Sequence, residues 1–169
     1  MEISEELIDG LLYASHHFEG QLISPIANGV LSEQSFRYKA ADSLGFISIE
    51  HAASLRFLIA KAKCNTSAFA LFRLQYEALV KALWAFYVAS DDQLELIVGE
   101  LSEERADRNN KELPPISKML KQLEDKNTPS HHTVLQLIRF KEISWKALNS
   151  YVHSGLHLLS EICMDILEN

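Results

Sequence analysis

Three charged side chains recur at every fourth position of a segment that is otherwise apolar except for Gln75. Arg73, Glu77 and Lys81 lie within residues 68–89, which read AFALFRLQYEALVKALWAFYVA. Residues four apart lie on the same face of an α-helix, so Arg73 and Glu77 are spaced to form an ion pair. If that pair is buried, removing one partner leaves an uncompensated charge at a cost of about 3–5 kcal/mol. A solvated helix face, a structural salt bridge and a functional polar site are the three interpretations of this stripe.

A second polar group, Asn149 and His153, occurs in the segment NSYVHSG close to the start of another apolar stretch. These two residues are also four apart, so a continuous helix would place them side by side. An imidazole exchanges protons near neutral pH, which suits His153 to general acid–base chemistry. The amide of Asn149 would orient the ring through a hydrogen bond. The alternative is a structural histidine that fastens a helix break at Ser154 and Gly155.

A metal site is the third chemistry that the spacing allows. His153, His157 and Glu161 fall at i, i+4 and i+8, and imidazoles one turn apart can share an ion. The segment lacks the HExxH pattern, and Gly155 interrupts it. We therefore predict no metal and no cofactor, with a metal-binding bundle as the weaker alternative. Walker, GxGxxG and GxSxG motifs are absent from the sequence.

The elements that must position these residues are predicted to be helices throughout, because apolar residues recur at steps of three and four. We expect an all-α bundle of four long helices with two or three short additional helices, formed by a single domain over residues 1–169. The four long segments cover about 5–23, 33–62, 68–89 and the residues that follow Thr128-Pro129.

Capping signals mark several of the helix ends. Ser4 is the expected N-cap of the first helix, and Asn65-Thr66 offers a cap for the third. Ser90 and Gln93 form an S-x-x-Q capping box that opens a shorter helix to about Leu101. Residues 102–115 are predicted to be an exposed loop, and the first helix is expected to end at Ser24-Pro25. A further short helix should turn four apolar residues inward: Ile116, Met119, Leu120 and Leu123.

The long helices carry predicted buried stripes. In the second helix the stripe is Phe36, Ala40, Leu44, Ile47, His51, Leu55, Leu58 and Ala62, and in the last it begins Val134, Ile138, Lys141, Trp145, Leu148 and Val152. Cys64 and Cys163 sit in these helical patterns without zinc spacing, so we predict two buried, reduced thiols.

The charge balance narrows the class of partner. A formal net charge of −7 argues against a protein that binds a phosphate backbone with its whole surface. We therefore expect no DNA binding. The N-terminus is acidic and lacks the pattern of a secretory signal, and charges interrupt every long apolar run. These features predict a cytoplasmic protein without a membrane partner.

The Arg73-x-x-x-Glu77 helix and the late Asn149-Ser-Tyr-Val-His153-Ser-Gly motif together resemble the HEPN superfamily (higher eukaryotes and prokaryotes nucleotide-binding). The resemblance covers roughly residues 68–160 and is nearest to uncharacterised bacterial members with an R-x-x-x-E helix and a late Y-x-H-x-G motif. It implies a small helical bundle that forms a symmetric dimer. Many members are metal-independent ribonucleases of toxin–antitoxin or phage-defence systems.

The family's active motif is an Arg, a polar residue such as Asn, three residues and a His. Asn149 and His153 match the polar residue and the His, whereas Leu148 stands where the Arg should be. A phosphate-binding charge would then have to come from Lys146 or from Arg73 through space.

These observations leave three functions open. The first is an RNA-directed enzyme or toxin-like module, with His153 as acid–base group, Asn149 as its orienting partner and Arg73 as phosphate contact. The second is a non-catalytic dimeric interaction module, and the third is the metal-binding bundle. The expected partners are a second copy bound through the long apolar helices, RNA, and an antitoxin-like protein. The expected binding residues beside the catalytic ones are Glu77, Tyr151, His157 and Lys146.

Overall fold

The computed structural model describes residues 4–28, 35–100, 102–103, 108 and 111–153, with the side chains of residues 25–28 left out. Helices account for the regular structure of these residues, and no strand occurs among them. The six helices are α1 (Glu5–Asn28), α2 (Phe36–Phe57), α3 (Asn65–Tyr87), α4 (Asp91–Val98), α5 (Ile116–Lys126) and α6 (His131–His153). A π-helical turn, Leu58–Ala62, extends α2. The predicted all-α class is confirmed.

The α3 helix is the centre of the molecule and packs against α2, α5 and α6. Tyr76, Val80 and Trp84 are its large buried side chains. They form one apolar core with residues of the surrounding helices: Ala40, Leu94, Met119, Leu120, Leu123 and Val134. Several alanines in α3 are buried as well, and their small side chains let the neighbouring helices approach closely.

Hydrogen bonds fix the direction of the helices around α3. The guanidinium of Arg37, at the start of α2, donates to the carbonyl oxygens of Ala85 at 2.9 Å, Phe86 at 3.2 Å and Ala89 at 2.8 Å. These carbonyls lie at the C-terminal end of α3, where a helix leaves its acceptors unsatisfied. The contact therefore caps α3 and makes α2 antiparallel to it.

Several predicted helix ends are confirmed. Ser4 Oγ accepts from the backbone N–H of Leu7 at 3.3 Å at the start of α1. At the start of α4, Ser90 Oγ accepts from the N–H of Gln93 at 3.4 Å, while Gln93 Oε1 accepts from the N–H of Ser90 at 3.0 Å. Both halves of the capping box are therefore present, and two backbone donors that α4 would leave unpaired are satisfied.

Other predicted ends were wrong. The α1 helix does not stop at Ser24-Pro25 but continues to Asn28, because a proline marks a frequent helix boundary and not an obligatory one. The α4 helix ends at Val98, short of Leu101. The α3 helix includes Asn65, so this residue is not its cap.

The last described helix also begins later than predicted. The α6 helix starts at His131, whose N–H donates to the backbone carbonyl of Thr128 at 2.9 Å. Thr128 Oγ1 is buried without a hydrogen-bond partner in the described part of the chain. The turn at Thr128 is therefore closed by a main-chain bond, and the threonine side chain is not the cap. The predicted loop over residues 102–115 falls mostly outside the described residues.

Predicted burial was right for α5 and partly wrong for α2. Met119, Leu120 and Leu123 are buried as expected, and Ile116 is half-buried. In the predicted α2 stripe only Ala40 is fully buried, while Phe36, Ile47 and Ala62 are exposed. The α2 helix packs mainly against α3, and α1 covers little of its other faces. Cys64, predicted to be buried, is exposed in the turn before α3, and Cys163 lies outside the described residues.

The segment Phe36–Ala62 is long and apolar enough to cross a membrane, judged by length and composition, with a mean hydropathy of 1.2 in its best window. This finding rests on length and composition alone, and 6% of that window is buried inside the molecule. The sequence had suggested no membrane span.

Candidate functional site

A polar cluster lies where α3 meets α6, and Arg73 is its centre. Arg73 Nε donates to Glu77 Oε1 at 3.0 Å, and Arg73 Nη2 lies 2.9 Å from the same oxygen. Arg73 Nη1 lies 3.1 Å from His153 Nε2. The Arg73 and Glu77 side chains are 15% and 19% exposed, so the pair is mostly shielded from solvent. The i, i+4 spacing thus forms a real ion pair, and it reaches a histidine of another helix.

The indole of Trp145 completes this Arg73 cluster, which we define as Arg73, Glu77, Trp145 and His153. Arg73 Cζ lies 4.9 Å from the centre of the Trp145 ring, a cation–π distance. Lys141 Nζ lies 5.4 Å from the same ring. Two cations therefore share one indole, and the only carboxylate bonded to Arg73 among the described residues is that of Glu77.

Aromatic packing holds the two helices in this register. The rings of Phe69 and Tyr151 are stacked with centroids 4.9 Å apart, one turn beyond Arg73. On the other side, Tyr76 packs against Phe140 and Trp145, with centroids 5.2 Å and 5.9 Å away. The Tyr76 hydroxyl donates to the carbonyl oxygen of Leu137 at 2.8 Å. Burial raises the pKa of the Tyr76 hydroxyl above its ordinary value.

Asn149 lies between Trp145 and His153, one turn from each on α6. Its Oδ1 atom is buried and has no hydrogen-bond partner in the described part of the chain. An unsatisfied buried acceptor is costly, so its presence beside the Arg73 cluster is informative. The hydrogen bond from Asn149 Oδ1 to the His153 ring that the sequence suggested is therefore not formed in the described part of the chain.

The other residues that the sequence placed at or near the site have different environments, and some lie outside the described residues. Leu148, at the position where the HEPN motif has Arg, is a core residue with 4% exposure. Lys146 is exposed, and the cation that contacts His153 is Arg73, not Lys146. Tyr151 is half-buried against Phe69. His157 lies outside the described residues, and so does Glu161 of the metal hypothesis. Among the described residues no three His, Cys, Asp or Glu side chains are grouped around a common point.

Sequence reasoning missed two contributors to this part of the molecule. Lys141 and Trp145 were assigned to the apolar stripe of α6. In the structure Trp145 supplies the ring that Arg73 contacts, and Lys141 is a second cation on the same ring. The signal was present, because a lysine inside a buried stripe must find a favourable contact for its charge. Their i, i+4 spacing allows that contact to be the indole face.

The chain matches the model of a family of unknown function (DUF6988) over residues 45–166. The chain belongs to this family. The matched residues of the DUF6988 model include every member of the Arg73 cluster together with Lys141 and Asn149, whereas α1 precedes them. Comparison with curated proteins and with solved structures found no match.

Proposed function

We propose that the chain is a HEPN-like, RNA-directed domain, of the toxin or phage-defence ribonuclease type, with the Arg73 cluster as its site. The 3.1 Å contact between Arg73 Nη1 and His153 Nε2 carries the proposal. It brings a cation that can bind phosphate next to an imidazole that can move a proton. These are the two groups that metal-independent phosphate transfer requires.

The hydrogen bond defines the chemical form of the imidazole. A guanidinium only donates, so His153 Nε2 accepts and its lone pair is directed at Arg73. The ring is a general base once a bound phosphate takes the Nη1 donor and leaves this lone pair to the substrate proton. In RNA the nearest proton is that of the 2′-hydroxyl beside the scissile phosphate. His153 takes that proton, the 2′-oxygen bonds to phosphorus, the bond to the 5′-oxygen breaks, and the leaving oxygen takes a proton from water. DNA lacks the 2′-hydroxyl and is not a substrate for this step.

In this proposal Arg73 takes the place of the arginine that the HEPN motif has at the position of Leu148. Leu148 is buried and uncharged, but the guanidinium of α3 reaches the same histidine from the facing helix. Charge on a phosphorane is stabilised by donors that are already in place, and Glu77 and Trp145 hold Arg73 in one orientation. Lys141 adds a second positive charge on the Trp145 ring. The cytoplasmic location and the antitoxin-like partner expected from the resemblance remain predictions of this proposal.

The decisive experiment uses the full chain and a fluorescent single-stranded RNA, with binding and cleavage measured together. His153→Ala should abolish cleavage and leave the melting temperature nearly unchanged, because the His153 residue is exposed. His132→Ala is the matched control, since His132 is an exposed histidine at the other end of α6. Equal activity of the wild type and the His153→Ala variant would refute the catalytic role.

A second candidate function is a non-catalytic interaction module. It is favoured by the way in which all three guanidinium nitrogens of Arg73 have partners within the chain. In this function the cluster fastens α3 to α6 and does no chemistry. It predicts that the wild type neither binds nor cleaves RNA, and that substitutions at Arg73 change stability alone.

A further inference from the structure

The outer face of α1 carries a narrow apolar stripe that the rest of the described chain leaves uncovered. The α1 stripe is Leu7, Leu11, Ala14, Phe18 and Leu22, at steps of four, three, four and four residues. At 3.6 residues per turn these positions fall within about 80° of the helix circumference. Leu7, Leu11, Phe18 and Leu22 are 53%, 63%, 59% and 40% exposed. Such spacing is that of a seam which packs against another helix.

Two polar contacts join α1 to α2, and they lie on the face of α1 that adjoins the stripe. Arg56 of α2 forms an ion pair with Glu19, and Arg56 Nη1 donates to Ser15 Oγ at 3.1 Å. Burial beside these groups lowers the pKa of Arg56 from its ordinary value. The attachment of α1 is thus polar, and its apolar stripe remains available.

We propose that the α1 stripe binds the α1 stripe of a second copy of this chain, with the two helices antiparallel. The stripe is self-complementary about its midpoint between Ala14 and Ser15. In that register Leu7 faces Leu22 of the other copy, and Leu11 faces its Phe18. The small Ala14 lies at the crossing point, where two backbones come closest. A two-fold axis therefore pairs large side chains with large ones and leaves no bulky residue at the axis.

Charge decides the direction of the pairing and favours a second copy over a lipid surface. Glu5, Glu6 and Asp9 lie in the first part of α1, while no ionic side chain follows Glu19 within the helix. A parallel pair would place the three acids of each copy side by side. The antiparallel pair places them beside residues 20–24 of the other copy, which carry no ionic side chain. Anionic lipid headgroups would be repelled by the same acids.

The size of the seam sets the expected affinity. A helix of 24 residues is about 36 Å long, and a single helix pair buries less than the roughly 1,200 Å² that separates stable from transient interfaces. We therefore expect a transient dimer. The surface lies outside the residues that match DUF6988 and does not depend on the RNA proposal.

Sedimentation velocity of the full chain between about 1 and 200 μM tests the proposal, at concentrations chosen around the affinity expected from interface size. The wild type should pass from monomer to dimer. Leu11→Glu and Phe18→Glu should remain monomeric with an unchanged far-UV spectrum and melting temperature. Tyr13→Glu is the matched control, because Tyr13 is 73% exposed on the opposite side of α1, and this variant should dimerise normally. A monomeric wild type, or equal disruption by Tyr13→Glu, would overturn the proposal.

Cysteine cross-linking tests the direction in a Cys64→Ser, Cys163→Ser background. Mixing a tagged Leu11→Cys chain with an untagged Phe18→Cys chain should yield the mixed disulfide-linked dimer. Parallel helices would instead give links between identical positions, which would contradict the register. Flotation with phosphatidylcholine vesicles tests whether the α1 stripe binds a lipid surface instead. Vesicle binding that Leu11→Glu abolishes would assign the stripe to a membrane and overturn the proposal.

Discussion

Arg73 and His153 are eighty positions apart in the chain, yet their side-chain nitrogens lie 3.1 Å from each other. The contact joins the central helix α3 to the C-terminal part of α6, at a point where Glu77 balances the guanidinium and Trp145 supports it. A cation held this way is restricted to one orientation. The same restraint would serve an active site or a structural tie, and measuring stability and RNA binding separately distinguishes the two roles.

The Arg73–Glu77 pair can be tested by its coupling energy, because a shielded ion pair and a solvated helix face predict different values. Arg73→Met or Glu77→Leu alone should lower the free energy of unfolding by about 3 kcal/mol, since each leaves one charge unpaired in a mostly buried place. The double variant should lose much less, because no charge remains to be compensated. Urea unfolding of the four proteins in the cycle gives the coupling energy.

An additive outcome would contradict this account. If the losses of the single variants simply sum in the double variant, the two side chains do not interact and the pair behaves as a solvated helix face. Arg108 and Glu112 supply an internal control, because they form an exposed pair with the same spacing at 2.9 Å. The corresponding cycle there should give a coupling below about 1 kcal/mol.

Lys141 and Lys146 form a matched pair for testing the RNA proposal. Both are on α6, but only Lys141 lies on the Trp145 ring, whereas Lys146 is exposed. Lys141→Ala should weaken binding of single-stranded RNA several-fold and reduce the slope of log K against log salt by about 0.7. Lys146→Ala should leave both within error. Equal effects of the two substitutions would indicate a diffuse electrostatic attraction and no defined site.

Asn149 is expected to show opposite effects on stability and on function. Its buried Oδ1 lacks a partner in the described part of the chain, so Asn149→Leu removes an unsatisfied acceptor while keeping the side-chain volume similar. The free energy of unfolding should rise or stay constant. RNA cleavage should be lost if the amide orients His153 or contacts the substrate. A strong destabilisation would instead show that the amide has a structural partner.

The sequence was sufficient for features that depend on local spacing. The capping box at Ser90 and the inward face of α5 depend on residues within one or two turns, and both are as predicted. The spacing of Arg73 and Glu77 likewise placed them within reach of each other, but it left a solvated face, a structural salt bridge and a functional polar site open. The approach of Arg73 to His153 was a hypothesis that local spacing cannot support. The packing of α3 on α6 brings the two side chains together.

What could not be predicted depends on how much of each helix the others cover. The apolar stripe of α2 looked buried because periodicity reveals which residues share a face and not whether a partner covers it. Ile47 and Phe36 are exposed for that reason. Arg37 gave no local signal either, since its role at the end of α3 requires a neighbour some fifty residues away. The Thr128 side chain was not needed as a cap because a main-chain bond from His131 closes that turn. Pro25 did not end α1 because a proline favours a helix boundary without imposing one.

Tyr76 gives a prediction for alkaline pH. Burial raises the pKa of its hydroxyl above the ordinary value of 10.0, so the folded chain keeps a proton that the unfolded chain releases. The unfolded state therefore binds fewer protons above pH 10, and the free energy of unfolding must fall as the pH rises from there. Below that pH both states hold the proton, and Tyr76 makes no contribution to the slope.

Tyr76→Phe should flatten this alkaline decline, at the cost of the hydrogen bond to the Leu137 carbonyl. Urea unfolding at steps between pH 9 and 11.5 measures the slope, and Tyr13→Phe, at an exposed position, should leave it as in the wild type. An unchanged slope in Tyr76→Phe would mean that the ring ionises in the folded chain, so that solvent reaches the core between α3 and α6.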